Sequence, residues 1–377
     1  MNDKVKLFFA GDFCSKPSTS KITVSDELRD LMQSCDLKLV NFEVPLKPSV
    51  EMSYQKRERF YQNDDAPDFL RGLGFNLFSL ANNHTFDWGV EGFKKTKAAL
   101  GDAFGAGTYD EAYKVKMVDV NGTKIGFLGL SFAAYTGVFD ELTTHDGLGC
   151  AYINDLRVNH DIMEAKNYVD YLFVLPHDGI EYIDVPMPET IARFRDFINY
   201  GADGVIGTHP HCPQGWEEYK GKPIFYSLGN FLFNSKENYD YRATNCPHWY
   251  EGLCVVMDIE NGCLSWEVLN TRNVDNLGIV IDHDKERIRH NNLICSYLKD
   301  DRAYNEYLKP IIKKQAERDL LLMKHTFQPK NIKQAMKALW ACIARKIQNQ
   351  SDFSEEELWY MLKNDLKRNR LLKTRNN

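Results

Sequence analysis

Residues 80–89 read LANNHTFDWG and follow the apolar run FNLFS at 75–79. Asn82, Asn83, His84 and Asp87 fall within six positions at the end of what reads as a buried strand. Two carboxamides, an imidazole and a carboxylate placed there need partners or a ligand, because an unpaired polar group in an apolar setting costs roughly 2–7 kcal/mol. The stretch therefore reads as a strand whose carboxyl end carries a site.

Working outward, the same texture recurs. VKLFFAGD (5–12), LKLVNFE (37–43), KIGFLGLS (124–131), YLFVLPHDG (171–179), DGVIGTHPH (203–211) and PIFYSLGNF (223–231) are short apolar or β-branched runs that end in polar clusters. Between them, 26–34, 91–100, 155–168 and 188–200 carry helical spacing, the last opening with Pro188 and Glu189. This alternation predicts a layered α/β domain to about residue 235, extended by strands GLCVVMDI and LSWEVLN to about 270. We place its boundary at 275. From 276 to 377 charge rises and 301–323, 331–347 and 355–372 have helical periodicity interrupted by Pro310 and Pro329, which predicts a helical C-terminal appendage. SEEE at 354–357 has capping-box spacing.

In open α/β sheets ligands bind beyond the carboxyl ends of strands. Applied here, that rule gathers Asp12, Glu43, Asn83, His84, His177, His209 and His211 at one edge. Imidazoles and carboxylates suit Zn, Mn or Fe, and a carboxylate shared by two cations offsets their repulsion. Each residue also has a plainer reading. Asp12 or Glu43 alone is an ordinary turn former, and His177 before Asp178-Gly179 an ordinary loop histidine. His209 and His211, alternating across Pro210, are expected on the same side of an extended segment. The joint occurrence points to a dinuclear hydrolytic site. Asp87 and Glu181 are candidates for orienting ligand histidines, or simple surface groups. Ser227 in YSLGNF would need an adjacent base to act as a nucleophile, and reads as structural.

The whole chain sets bounds on this reading. At 377 residues it can bury a large core, and 43% hydrophobic and 27% charged residues are ordinary for a globular protein. A net charge of -6 argues against general nucleic-acid binding. The N-terminal apolar run is broken by Gly11 and Asp12, unlike a signal-peptide core, and no apolar segment is long enough to span a bilayer. Nine scattered cysteines without CxxC suit reduced thiols, so a cytoplasmic protein is expected.

The residues resemble the bacterial capsule synthesis protein CapA family, whose domain is similar to the calcineurin-like metallophosphoesterases. FAGD, VNFEVPL, LANNHTFDWGVEGF, LPHDGIEY and GADGVIGTHPHCPQGWEEYKGKPIFYSLGNF carry the resemblance, over roughly residues 5–235. It implies a four-layered α/β/β/α sandwich with metals at the sheet edges. It further implies that Glu43, Asn83, His177 and His209 hold one divalent cation and that Asp12, Glu43 and His211 hold the other, with His84 beside them as the catalytic acid. Two departures from the general phosphoesterase pattern stand out: Cys14 replaces the histidine of DxH, and Glu43 replaces an aspartate. The first leaves one metal position short of a protein ligand.

The expected function is metal-dependent hydrolysis of a phosphoester or related bond in the biosynthesis of a capsule or poly-γ-glutamate-type surface polymer. Water activated at the metals would attack, and His84 would protonate the leaving oxygen. The alternative is a metal-retaining binding or assembly subunit of a polymer-synthesis complex. Expected partners are an anionic polymer or a phosphorylated small molecule, and no nucleic acid. The tail LKNDLKRNRLLKTRNN (362–377) sets six cations against Asp365, with Leu358, Met361, Leu362 and Leu366 spaced along one helical face. It reads as a docked helix with a solvated end, or as a contact for an anionic membrane or acidic partner.

Overall fold

A computed structural model describes residues 4–49, 60–132, 147–234 and 246–326. Strand β1 (Val5–Ser15) runs through the middle of the larger sheet and alternates its side chains between two cores. Phe8 and Ala10 face one cluster and Leu7 and Phe9 the other, as a period of two requires for a strand buried on both faces.

That sheet has nine described strands. Its path runs β2 (Thr23–Val24), β17 (Gly278–Ile281), β16 (Cys263–Val274), β15 (Glu251–Glu260), β1, β3 (Leu37–Phe42), β4 (Leu77–Ser79) and β5 (Ala103–Phe104). Off this path, β14 (Asn230–Asn234) pairs in parallel with β1. The second sheet runs β12 (Trp216–Tyr219), β13 (Lys222–Phe225), β11 (Gly204–Ile206), β10 (Tyr171–His177), β8 (Thr123–Ser131) and β7 (Lys116–Val120). A small pair, β6 (Ala106–Gly107) with β9 (Gly149–Cys150), accompanies α4 (Tyr109–Tyr113).

The sheets meet through Leu7, Phe9, Leu39 and Leu77 of the first and Phe127, Phe173, Leu175 and Ile206 of the second. The other face of the larger sheet packs on α1 (Asp26–Gln33), α2 (Ala66–Gly72) and α3 (Gly89–Leu100) through Leu28, Met32, Leu70 and Phe93. Ser25 caps α1 by accepting the Leu28 N–H, and Asp26 and Glu27 favour its positive end. On the far side of the second sheet, α6 (Pro188–Asn199) packs against β11 and β13, with Phe194 stacked on Tyr226 at 5.6 Å. Arg193 of α6 reaches Asn159 of α5 (Arg157–Ala165) at 2.7 Å. The layers are therefore helix, sheet, sheet, helix, the four-layered α/β/β/α sandwich expected.

The first compact unit extends from Met1 to Leu298. Strand β17 pairs with β16 and β2, and α7 (Lys285–Tyr297) packs beside β12, so both belong to this unit although they lie beyond residue 275. Backbone pairing with distant partners decides that assignment, and local charge and periodicity do not reveal it. In the second unit α8 (Asp301–Thr326) is continuous through Pro310. The proline removes one main-chain hydrogen bond but does not end the helix. The segments 331–347 and 355–372, the SEEE cap and the basic tail lie outside the described residues. No helix among the described residues is long and apolar enough to cross a membrane. The eight described cysteines are free of disulfides.

Candidate metal centre

The site begins at an irregularity in β1. Up to Ala10, one edge of β1 pairs with β15; from Asp12 onward that role passes to β14, and the register against β3 shifts at the same place. Gly11 permits this, because a Cβ there would lie 2.0 Å from the Gly229 carbonyl oxygen, whose residue accepts the Asp12 N–H at 2.9 Å. The bulge turns the Asp12 carboxylate to the sheet end. Asn41 Nδ2 donates to its Oδ1 at 2.6 Å and the His209 N–H to its Oδ2 at 3.0 Å. Burial nonetheless raises Asp12 to a pKa of about 7.

Two groups of donor atoms converge there. Asp12, Glu43 and His211 are buried and each offers an atom within 4.8 Å of the others. His211 Nε2 lies 3.4 Å from Glu43 Oε1, while its Nδ1 is held by Asn230 Oδ1 at 3.0 Å, an arrangement that leaves Nε2 directed at the carboxylate. Beside them, His177 Nε2 lies 2.9 Å from Asn83 Oδ1 and 3.1 Å from His209 Nδ1. Burial first, and then the neighbouring His211 and His84, hold His177 well below the usual imidazole range, so it is neutral at pH 7. Thr208 Oγ1 and Asn41 Nδ2 approach its Nδ1 at 3.0 and 3.1 Å.

His209 and His211 do not alternate along an extended segment as expected. Both have positive φ, 106° and 61°, so Pro210 sits between two left-handed residues and the chain turns sharply to bring both rings to the centre. Non-glycine residues held there cost on the order of 1–3 kcal/mol each, and the surrounding contacts maintain them. Phe132 packs on His209 at 4.4 Å between ring centroids. Trp249 lies 5.1 Å and Tyr182 6.3 Å from His211.

The stretch LANNHTFDWG at 80–89 divides its polar groups by task. Asn82 is structural: its Nδ2 donates to the Phe42 carbonyl at 3.0 Å, and its Oδ1 accepts the His84 N–H at 3.1 Å and the Thr85 hydroxyl at 3.0 Å. Asn83 faces His177. His84 stands apart from the donor groups, with Nε2 3.9 Å from Glu43 Oε1 and Nδ1 2.9 Å from Asp87 Oδ2. It is also the most exposed of the seven groups, at 13% for its side chain. Asp87 is buried and holds His84, not one of the ligand histidines it was expected to orient; Glu181 is partly exposed in the loop after β10. Ser227 Oγ accepts the Gly229 N–H at 3.1 Å and so holds the turn, as the structural reading expects. Cys14 is buried in an apolar cluster with Val44, Phe60, Phe233 and Trp249.

Sequence reading missed Asn41 and Asn230. The signal was present, since each is a carboxamide inside an apolar strand, LVNFE and LGNFLF, but neither lies past a strand end. The donor set of two carboxylates, three imidazoles and one carboxamide oxygen, nearly all excluded from solvent, fits divalent cations. Their charges would offset the desolvation of Asp12 and Glu43.

A layered α/β/β/α sandwich thus gathers carboxylate, carboxamide and imidazole donors at its strand ends. The family described as bacterial capsule synthesis protein PGA_cap matches residues 6–235, and the chain belongs to it. Its relatives include the capsule biosynthesis protein CapA of Bacillus anthracis, 29% identical over 252 residues, which are 62% of this chain and 61% of that one. The PGA biosynthesis protein CapA of Bacillus subtilis is 29% identical over 247 residues, 62% of this chain and 64% of that one. The matched part thus spans less than two thirds of either relative. Among solved structures, one described as a novel phosphatase of Mycoplasma pneumoniae aligns with a TM-score of 0.44 at 14% identity, over 77% of this chain and 98% of that one.

Proposed function

We propose that the chain is a metal-dependent hydrolase of a phosphoester or related bond, acting in the synthesis of a capsule or poly-γ-glutamate-type polymer. The polymer assignment rests on family membership and on the names of the two Bacillus relatives. The observation that carries the chemistry is the buried convergence of Asp12, Glu43 and His211 beside the Asn83, His177 and His209 donors. In this reading Glu43 is shared by two cations, Asn83, His177 and His209 complete one position, and Asp12 and His211 the other. When bound, divalent Mn, Zn or Fe supplies Lewis acidity and lowers the pKa of water.

The chain's own residues do the rest. Asp87 accepts the His84 Nδ1 proton and would stabilise the imidazolium form, whose second proton, on the Nε2 that faces the centre, passes to the leaving oxygen and leaves the ring neutral. The Phe60 ring lies T-shaped to the His84 ring, 5.0 Å between centroids. Asn41 and the His209 N–H keep the Asp12 carboxylate from rotating. The same machinery suits a γ-glutamyl amide, with His84 protonating the leaving nitrogen.

The position of Cys14 favours a second reading, a metal-retaining assembly subunit without turnover. Packed in an apolar cluster, it leaves one cation position with fewer protein ligands than the DxH pattern provides. Metal analysis of the purified chain beside a screen of phosphomonoesters, phosphodiesters and γ-glutamyl peptides separates the two. Metal with turnover that His84→Ala abolishes supports the hydrolase; full metal content with no turnover on any class supports the subunit.

A further inference from the structure

A second convergence of ligand-type side chains lies outside the strand-end centre. Asp184 in the loop after β10, His248 in the turn before β15, and His290 on α7 offer donor atoms that all lie within 4.8 Å of one another. His290 Nε2 is 2.9 Å and His248 Nε2 3.8 Å from Asp184 Oδ2. Four ligands at 2.0–2.1 Å around a tetrahedral cation stand about 3.3 Å apart, and these two distances bracket that value. The imidazoles are stacked, with 4.2 Å between ring centroids and 7° between ring planes. A metal lies in the plane of each imidazole that holds it, so one ring turns out of this stack when both bind the same cation.

The surroundings have the pattern of a metal-binding histidine. His248 turns its other nitrogen, Nδ1, to Glu251 Oε1 at 3.1 Å and donates a proton there, so a cation facing Asp184 would take the Nε2 position in place of a proton. A carboxylate behind a ligand imidazole is the usual means of fixing tautomer and direction. The other oxygen, Glu251 Oε2, is buried with no hydrogen-bond donor among the described residues, a cost that a cation nearby would offset. The three candidate ligands keep 14%, 23% and 24% of their side chains exposed, so water can reach a fourth position.

We propose that Asp184, His248 and His290 form a separate site for one first-row divalent cation, Zn²⁺ being the best match to two imidazoles and a carboxylate. Its ligands come from three segments distant in sequence, so an occupied site clamps α7 to the loops around the strand-end centre. Asp184 and His248 are two and one residues from Tyr182 and Trp249, whose rings contact His211.

Equilibrium dialysis against Zn²⁺, followed by elemental analysis, tests the site on the full chain. His290→Gln and Asp184→Asn should each bind one Zn²⁺ fewer per chain than wild type, while Glu43→Gln keeps the Zn²⁺ that those two lose. Equal Zn²⁺ content in wild type and both variants overturns the proposal. Should the variants fail to fold, carbethoxylation of the wild-type chain, mapped by mass spectrometry, gives an independent answer. Protection of His248 and His290 by Zn²⁺ supports the site, and equal labelling with and without Zn²⁺ overturns it.

Discussion

His84 Nδ1 lies 2.9 Å from Asp87 Oδ2, and the same oxygen accepts the Phe60 main-chain N–H at 2.9 Å. One buried carboxylate thus fixes both the imidazole and the main chain of Phe60, whose ring contacts that imidazole. We expect Asp87→Asn to keep wild-type metal content yet lower turnover about 10–100-fold, the range typical of an orienting partner. His84→Ala should lower it about 10²–10⁴-fold. Steady-state kinetics with parallel metal analysis checks both, and an unchanged rate for Asp87→Asn would remove it from the mechanism.

Gly11 ties the fold to the site. Alanine there would set its Cβ 2.0 Å from the Gly229 oxygen, a main-chain atom that cannot move aside without breaking the Asp12–Gly229 hydrogen bond. Gly11→Ala should therefore lower the melting temperature and metal content together. A variant with wild-type values of both would show that β1 and β14 separate readily.

Asp12 predicts a pH dependence in the metal-free chain. Burial raises its pKa from 3.8 to about 7, so between those values the folded state holds a proton that the unfolded state has released. Stability from this group therefore falls as pH rises from about 4 to about 7, by up to about 4 kcal/mol, and then levels off. His177, held low by burial, acts in the opposite direction at acid pH but is common to both proteins compared. Denaturant unfolding of the EDTA-treated wild type and Asp12→Asn, from pH 4 to 8, should show the variant gaining on wild type as pH rises. A constant difference would mean that Asp12 ionises normally.

The site was legible in the sequence because its donors follow a general rule: polar residues just past buried strands, at FAGD, NFE, ANNH, LPH and GTHPH. Period-two apolar runs and helical spacing likewise foretold α1, α3, α5 and α6 to within a few residues. Asn41 and Asn230 stand out as carboxamides in apolar strands, but their roles were not legible, because these lie in partners far along the chain: Asp12 is 29 residues from Asn41, and His211 is 19 from Asn230. The left-handed backbone at His209 and His211 escaped for a similar reason. Local propensity opposes it, and only the packed site enforces it. Nor could charge and periodicity show that β17 and α7 join the first unit, since strand pairing decides that.

The central claim is that Glu43 serves the strand-end cations while His84 does not bind them. Elemental analysis of wild type, Glu43→Gln and His84→Ala, purified identically, tests it most directly. Glu43→Gln should lose the cations of the strand-end centre, and His84→Ala should keep the wild-type content. Full metal content in Glu43→Gln, or equal loss in both variants, would contradict it.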